Sequence, residues 1–125
     1  MSVNPLAAVS AFAIGGLWYS VLFARRWQAV AGVTDAQLSS GRVRVFAGAF
    51  VFALVMAASL AAFIGSTGPL FGTLAGFLAG ATWVAAAFGI TYLFERRPLV
   101  HYLINAGYAV LAFTVMGAIL GALQA

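Results

Sequence analysis

The chain has 125 residues, of which 65% are hydrophobic and only 6% charged, and its formal net charge is +4. An ordinary soluble domain is about a quarter charged, so eight charged side chains cannot clothe a water-facing surface of this size, and the mean hydropathy of +1.09 points the same way. A soluble enzyme, a soluble binding module and a disordered segment are excluded, the last because disordered chains are poor in aliphatic and aromatic residues.

What the composition demands instead is lipid as solvent. The apolar stretches do not alternate as barrel strands would, and unpaired amides in hydrocarbon cost several kcal/mol each, so the spans are helices. A helix of about 20 residues crosses a hydrocarbon core of roughly 30 Å. The first uncharged stretch predicts a helix over 3–24. No basic segment precedes it, and Arg25-Arg26-Trp27 stands where a signal peptide needs a small-residue cleavage site. It is therefore read as a retained span.

Residues 25–44 form an interfacial loop carrying Trp27 and Val30, and Thr34-x-x-Gln37 has the form of a capping box opening a short helix over 35–39. The next uncharged stretch is long enough for two spans and breaks at Gly65-Ser66-Thr67-Gly68-Pro69, giving helices over 45–64 and 70–94. A fourth helix occupies 100–123. The expected fold is an all-α integral membrane protein, a four-transmembrane-helix bundle forming one membrane domain over 1–125.

The arginines give the bundle a direction. Arg25-Arg26, Arg42, Arg44 and Arg96-Arg97 all fall in the connections after the first and third helices. Arginine excess marks the cytoplasmic side, so both termini and the 65–69 turn are expected on the outer side. No aromatic-interleaved basic face or nucleic-acid motif accompanies these pairs, so membrane lipids are the expected partners and nucleic acid is not.

A faint internal repeat is visible. Phe23-Ala24-Arg25-Arg26 matches Phe94-Glu95-Arg96-Arg97, and Met56 and Leu60 align with Met116 and Leu120. Two similarly oriented hairpins would produce this pattern. Small residues also run in stripes: Gly72, Gly76 and Gly80 on the third helix, Gly117 and Gly121 on the fourth, Ala49, Ala53, Ala57 and Ala61 on the second, Ala7, Ala11 and Gly15 on the first. Such stripes let backbones approach closely, which matters where the hydrophobic effect does not drive helix association. Four stripes in so small a bundle lead to the expectation of a homo-oligomer.

The chemistry is narrowed by what is missing. With no cysteine there is no thiolate or disulfide. No acid sits mid-membrane, which weighs against proton-coupled transport, and one His with two separated acids does not make a zinc site within one chain. No catalytic residue, metal or cofactor is expected.

One polar grouping remains. His101, Asn105 and Tyr108 share a face of the fourth helix, with Asn105 about 8 Å inside its start. Trp18 and Tyr19 lie at comparable depth on the first helix, and Glu95 and Arg96 border the layer. These seven residues are the candidates for a ligand-binding layer. The alternative is an aromatic belt in which a buried Asn links helices and Glu95 pairs with an arginine or His101.

The same residues carry a family resemblance. Gly16-Leu17-Trp18-Tyr19-Ser20 with Phe23, Trp27 and Gly32, and Phe94-Glu95-Arg96-Arg97 with Leu103-Ile104-Asn105-Ala106-Gly107-Tyr108 and Met116-Gly117, resemble the end motifs of the small bacterial membrane proteins grouped as domain of unknown function 1761. Val21 stands where that pattern has a proline. The resemblance covers essentially the whole chain and implies a four-helix protein of the bacterial cytoplasmic (inner) membrane. It supplies no activity. The reading that follows is a non-enzymatic oligomeric helix bundle binding lipid or a hydrophobic small ligand near the cytoplasmic leaflet. A small channel or carrier, or an accessory subunit of a larger membrane complex, are the alternatives.

Overall fold

The computed structural model describes residues 5–124, with Ser39 described by its backbone; Val3 and Asn4, where the first helix is expected to begin, lie outside the described residues. In chain order the elements are α1 (Pro5–Leu17), continuing as a π-helical turn (Trp18–Leu22), α2 (Ala24–Ala31), α3 (Asp35–Ser39) and α4 (Arg42–Ile64). They are followed by α5 (Pro69–Leu78), a second π-helical stretch (Ala79–Val84), α6 (Ala85–Phe94) and α7 (Leu99–Gln124). Four helical runs are long and apolar enough to cross a membrane: Pro5–Leu22, Arg42–Ile64, Pro69–Glu95 and Leu99–Gln124. These are the first to fourth spans below, and no strand occurs among the described residues.

The ends of the elements follow local chemistry. The second span begins three residues before the expected position, at Arg42, and ends at Ile64 as expected. It stops because Gly65 and Gly68 take positive φ (61° and 98°), conformations that side chains with a Cβ rarely adopt, and Pro69 then opens the third span at its first position. The first span ends at Leu22 rather than residue 24: Phe23, at φ −126° and ψ 17°, breaks the run and α2 leaves in a new direction. The break occurs with Val21, not a proline, inside the turn that precedes it. The capping box is present, with Gln37 N–H donating to Thr34 Oγ1 (3.1 Å) and Thr34 N–H to Gln37 Oε1 (2.9 Å).

The fourth span is the centre of the bundle and packs against the other three, most extensively against the third. Where the first, second and fourth meet, the core is built from Ala7, Ala8, Ala11, Ala53, Ala57, Leu60, Ala61, Ile64, Ala112, Met116 and Leu120. Small side chains bring these helices close, and Ile64, Met116 and Leu120 fill the remaining volume. Phe12 closes one flank with edge-on contacts to Phe46 and Phe50, at ring separations of 6.1 and 5.7 Å.

The third and fourth spans meet along a glycine seam. A methyl group added at Gly72 would overlap the Gly117 carbonyl oxygen, one at Gly76 the Phe113 carbonyl oxygen, and one at Gly121 the Gly68 carbonyl oxygen. One at Gly80 would lie 2.9 Å from Val110 Cα. Here backbone packs on backbone, the contact that small residues permit in lipid. Ala53, Ala57 and Ala61 of the second span are buried inside the bundle and Ala49 is exposed; on the first span Ala7 and Ala11 are buried and Gly15 is half-buried. Most of each stripe is thus used within the chain, with Ala49 left exposed.

Several threonine hydroxyls within the spans bond their own helix. The hydroxyls of Thr73, Thr82 and Thr114 donate to the carbonyls of Pro69, Leu78 and Val110, four residues back. Gln124 Nε2 donates to the carbonyls of Ala61 (3.2 Å) and Gly65 (2.7 Å). It thereby supplies a donor to the Gly65 carbonyl, just past the end of the second span, and a second donor to the Ala61 carbonyl, which already accepts from Gly65 N–H.

Candidate functional site

The polar layer lies at the arginine-bearing end, and three spans build it. The π-helical turn closes with Phe23 N–H donating to the Trp18 carbonyl (2.9 Å), five residues back. Its wider turn rotates more slowly than an α-helix, so the neighbours Trp18 and Tyr19 both reach the fourth span. Trp18 Nε1–H donates to the Ile104 carbonyl at 2.8 Å, and the Tyr19 hydroxyl donates to Asn105 Oδ1 at 2.5 Å. Tyr108 returns the connection, its hydroxyl donating to the Ala11 carbonyl at 3.0 Å. Glycines make room for the rings: a Cβ at Gly107 would lie 3.0 Å from Trp18 Cζ2, and one at Gly15 3.3 Å from Tyr108 Cε1. The Asn105-Ala106-Gly107-Tyr108 and Gly15-Gly16-Leu17-Trp18-Tyr19 segments thus interlock, each supplying both a hydrogen-bonding ring and the gap for the other's ring.

Asn105 is the hub and is only 9% exposed. While its carbonyl oxygen accepts from Tyr19, its Nδ2 donates to the Tyr92 hydroxyl at 2.7 Å, so one side chain joins the first, third and fourth spans. Tyr92 is the residue that the sequence reasoning missed. A tyrosine in the last turns of a span reads as belt, and the signal that could have found it is its position at the same membrane boundary as Tyr19 and Asn105. Tyr92 also stacks with Phe88 (5.6 Å) and with His101 (4.7 Å, 26° between planes). Tyr19 contacts the rings of Tyr108 (5.5 Å) and Trp27 (5.4 Å), the latter anchoring α2 to the bundle.

The other candidates are placed differently. His101 is 6% exposed, and its Nδ1 has no hydrogen-bond partner among the described residues. Its ring packs against Tyr92 face to face, so it joins the layer by stacking. Glu95 and Arg96 do not join it: both are exposed, and Glu95 Oε1 pairs with Arg97 Nε at 3.1 Å. They turn outward because Arg96 sits at φ 56°, reversing the chain after the third span, while Arg97 N–H donates to the Tyr92 carbonyl (2.9 Å). The layer brings together Trp18, Tyr19, Tyr92, His101, Asn105 and Tyr108, and its chemistry is hydrogen bonding and stacking.

Four apolar helical spans fastened at one boundary by this layer define a multi-pass helical membrane protein. A family model described as a protein of unknown function (DUF1761) matches residues 5–121, and the chain belongs to that family. Comparison with curated proteins and with solved structures finds no match.

Proposed function

We propose that the protein is a non-enzymatic helix bundle of the bacterial cytoplasmic membrane, with both termini on the outer side, that engages lipid at its arginine-bearing boundary. In this reading the polar layer fastens the spans together and is not itself the ligand site. The observation that carries it is that four of the layer's residues spend their hydrogen bonds across spans, while His101 joins by stacking. Trp18, Tyr19, Asn105 and Tyr108 each direct hydrogen bonds to another span. The sidedness rests on the gathering of all six arginines at one end, the cytoplasmic one by the charge rule for short loops.

A channel or carrier finds less support, because residues that would line a wet path are bonded to one another, and Thr114 bonds its own helix. An accessory role in a larger complex draws only on the small mass outside the spans. Self-association belongs to the proposal through the lipid-facing surfaces, since most of each small-residue stripe is used within the chain.

The test is Asn105→Leu in the reconstituted protein. The variant is expected to insert normally and to unfold at a lower temperature than the parent. Equal or greater stability would sink the fastening role and favour a ligand site. Sidedness is tested with Ser40→Cys and Ser66→Cys: an impermeant maleimide added to intact cells should modify the second and not the first, and the reverse result would invert the orientation.

A further inference from the structure

We propose that the corner between the first span and α2 is a seat for one anionic glycerophospholipid, with its phosphate held by Arg25 and Arg26. This rests on the reading above that the arginine-bearing end meets a lipid leaflet.

The corner exists because the π-helical turn ends at Phe23 and α2 departs in a new direction, leaving an open groove of about 540 Å³ that runs from Ser20 to Arg26. Its two walls differ in kind. On the span side Val21 (69% exposed) and Leu22 (56% exposed) present bare apolar surface. On the α2 side Arg25 and Arg26 are exposed, while Trp27 holds that helix in place through the Tyr19 ring. A headgroup above and acyl chains below match this division, whereas a free inorganic anion would leave the apolar wall unused.

The arginine pairs are not equivalent. Arg97 is engaged by Glu95, the one ion pair among the described residues, and Arg42 Nε donates to the Leu38 carbonyl at 3.2 Å. Among the described residues the side chains of Arg25, Arg26, Arg44 and Arg96 make no such contact, and of these only Arg25 and Arg26 are adjacent on one helix beside the groove. With six arginines and two acids, the chain cannot neutralise its own positive end. At a membrane boundary the available counter-charge is lipid phosphate, which guanidinium groups grip through paired N–H donors.

The experiment uses the full chain in dodecyl maltoside, with native mass spectrometry reading retention of added phosphatidylglycerol or phosphatidylethanolamine. Each basic residue near an anionic lipid surface contributes about five-fold in affinity. The double variant Arg25→Gln/Arg26→Gln should therefore weaken phosphatidylglycerol retention about 30-fold, and Arg42→Gln/Arg44→Gln by much less. Phosphatidylethanolamine, whose ammonium offsets the charge of the same phosphate, should lose much less than phosphatidylglycerol in Arg25→Gln/Arg26→Gln.

Ser20→Phe fills the groove while keeping both arginines, and it should also weaken phosphatidylglycerol. This variant decides the matter if the arginine variant folds poorly. Unchanged retention in Ser20→Phe, equal losses from the two arginine pairs, or displacement of the lipid by inorganic phosphate alone would each overturn the proposal. Because retention is read in detergent, an inverted topology in the labelling experiment would overturn the sidedness without touching this result, and the converse holds too.

Discussion

The glycine seam predicts that one substitution, Gly to Ala, has opposite effects at two positions in the spans. At Gly48, inside the second span, an added Cβ meets nothing within 4 Å. The change there acts only on the backbone's conformational freedom, and alanine should stabilise by about 0.5–1 kcal/mol. At Gly76 the three atoms nearest the added Cβ are all backbone: the Phe113 carbonyl oxygen, the Phe113 carbonyl carbon at 2.8 Å and Gly117 Cα at 3.2 Å. No side chain can rotate away, so the third and fourth spans must separate along their length. Overpacking of this kind costs about 1–3 kcal/mol, and opposing backbone places Gly76 at the upper end. Against the gain in helix propensity, the net loss is about 2 kcal/mol, roughly a 30-fold shift towards the unfolded form. Reversible unfolding in mixed dodecyl maltoside and sodium dodecyl sulfate micelles measures both variants side by side. Gly76→Ala as stable as the parent, or Gly48→Ala equally damaging, would refute the seam as described.

Two further outcomes follow from the polar end of the bundle. Tyr92→Phe removes the acceptor of Asn105 Nδ2 at a 9% exposed site and should destabilise by about 1 kcal/mol, within the range measured for interhelical hydrogen bonds in membranes; no change in the same unfolding assay would show that the hub does not join the third span. Arg96→Gly relieves a left-handed residue at φ 56° and should stabilise by about 1 kcal/mol, while a loss of stability would mean that the Arg96 side chain makes a contact essential to the fold.

The spans were legible because hydrocarbon thickness and backbone satisfaction leave a chain this apolar few alternatives, and Gly65 to Pro69 marks a turn by local stereochemistry alone. Thr34 and Gln37 were equally legible, since a capping box is a short-range device. The π-helical stretches were not. They carry no distinctive local sequence, and the first shows its purpose only when Trp18 and Tyr19 are seen reaching Ile104 and Asn105, more than eighty residues away. Spacing placed His101, Asn105 and Tyr108 on one face, but spacing cannot say which partner a side chain meets. Tyr92 therefore went unmarked. Glu95 and Arg96 are adjacent in sequence to the layer, but the reversal at Arg96, which no spacing reveals, turns them away.

The backbone-to-backbone joint between the third and fourth spans differs in kind from the way the other two are attached. The first and second spans are held chiefly through side chains, which can be exchanged in compensating sets as relatives diverge. Carbonyl oxygens facing Gly72, Gly76, Gly117 and Gly121 admit no such bargaining, because the atoms in contact are the same in every protein. Sequence drift should therefore pass freely over the lipid-facing side of the second span and halt at this joint, making it the slowest-changing part of the molecule.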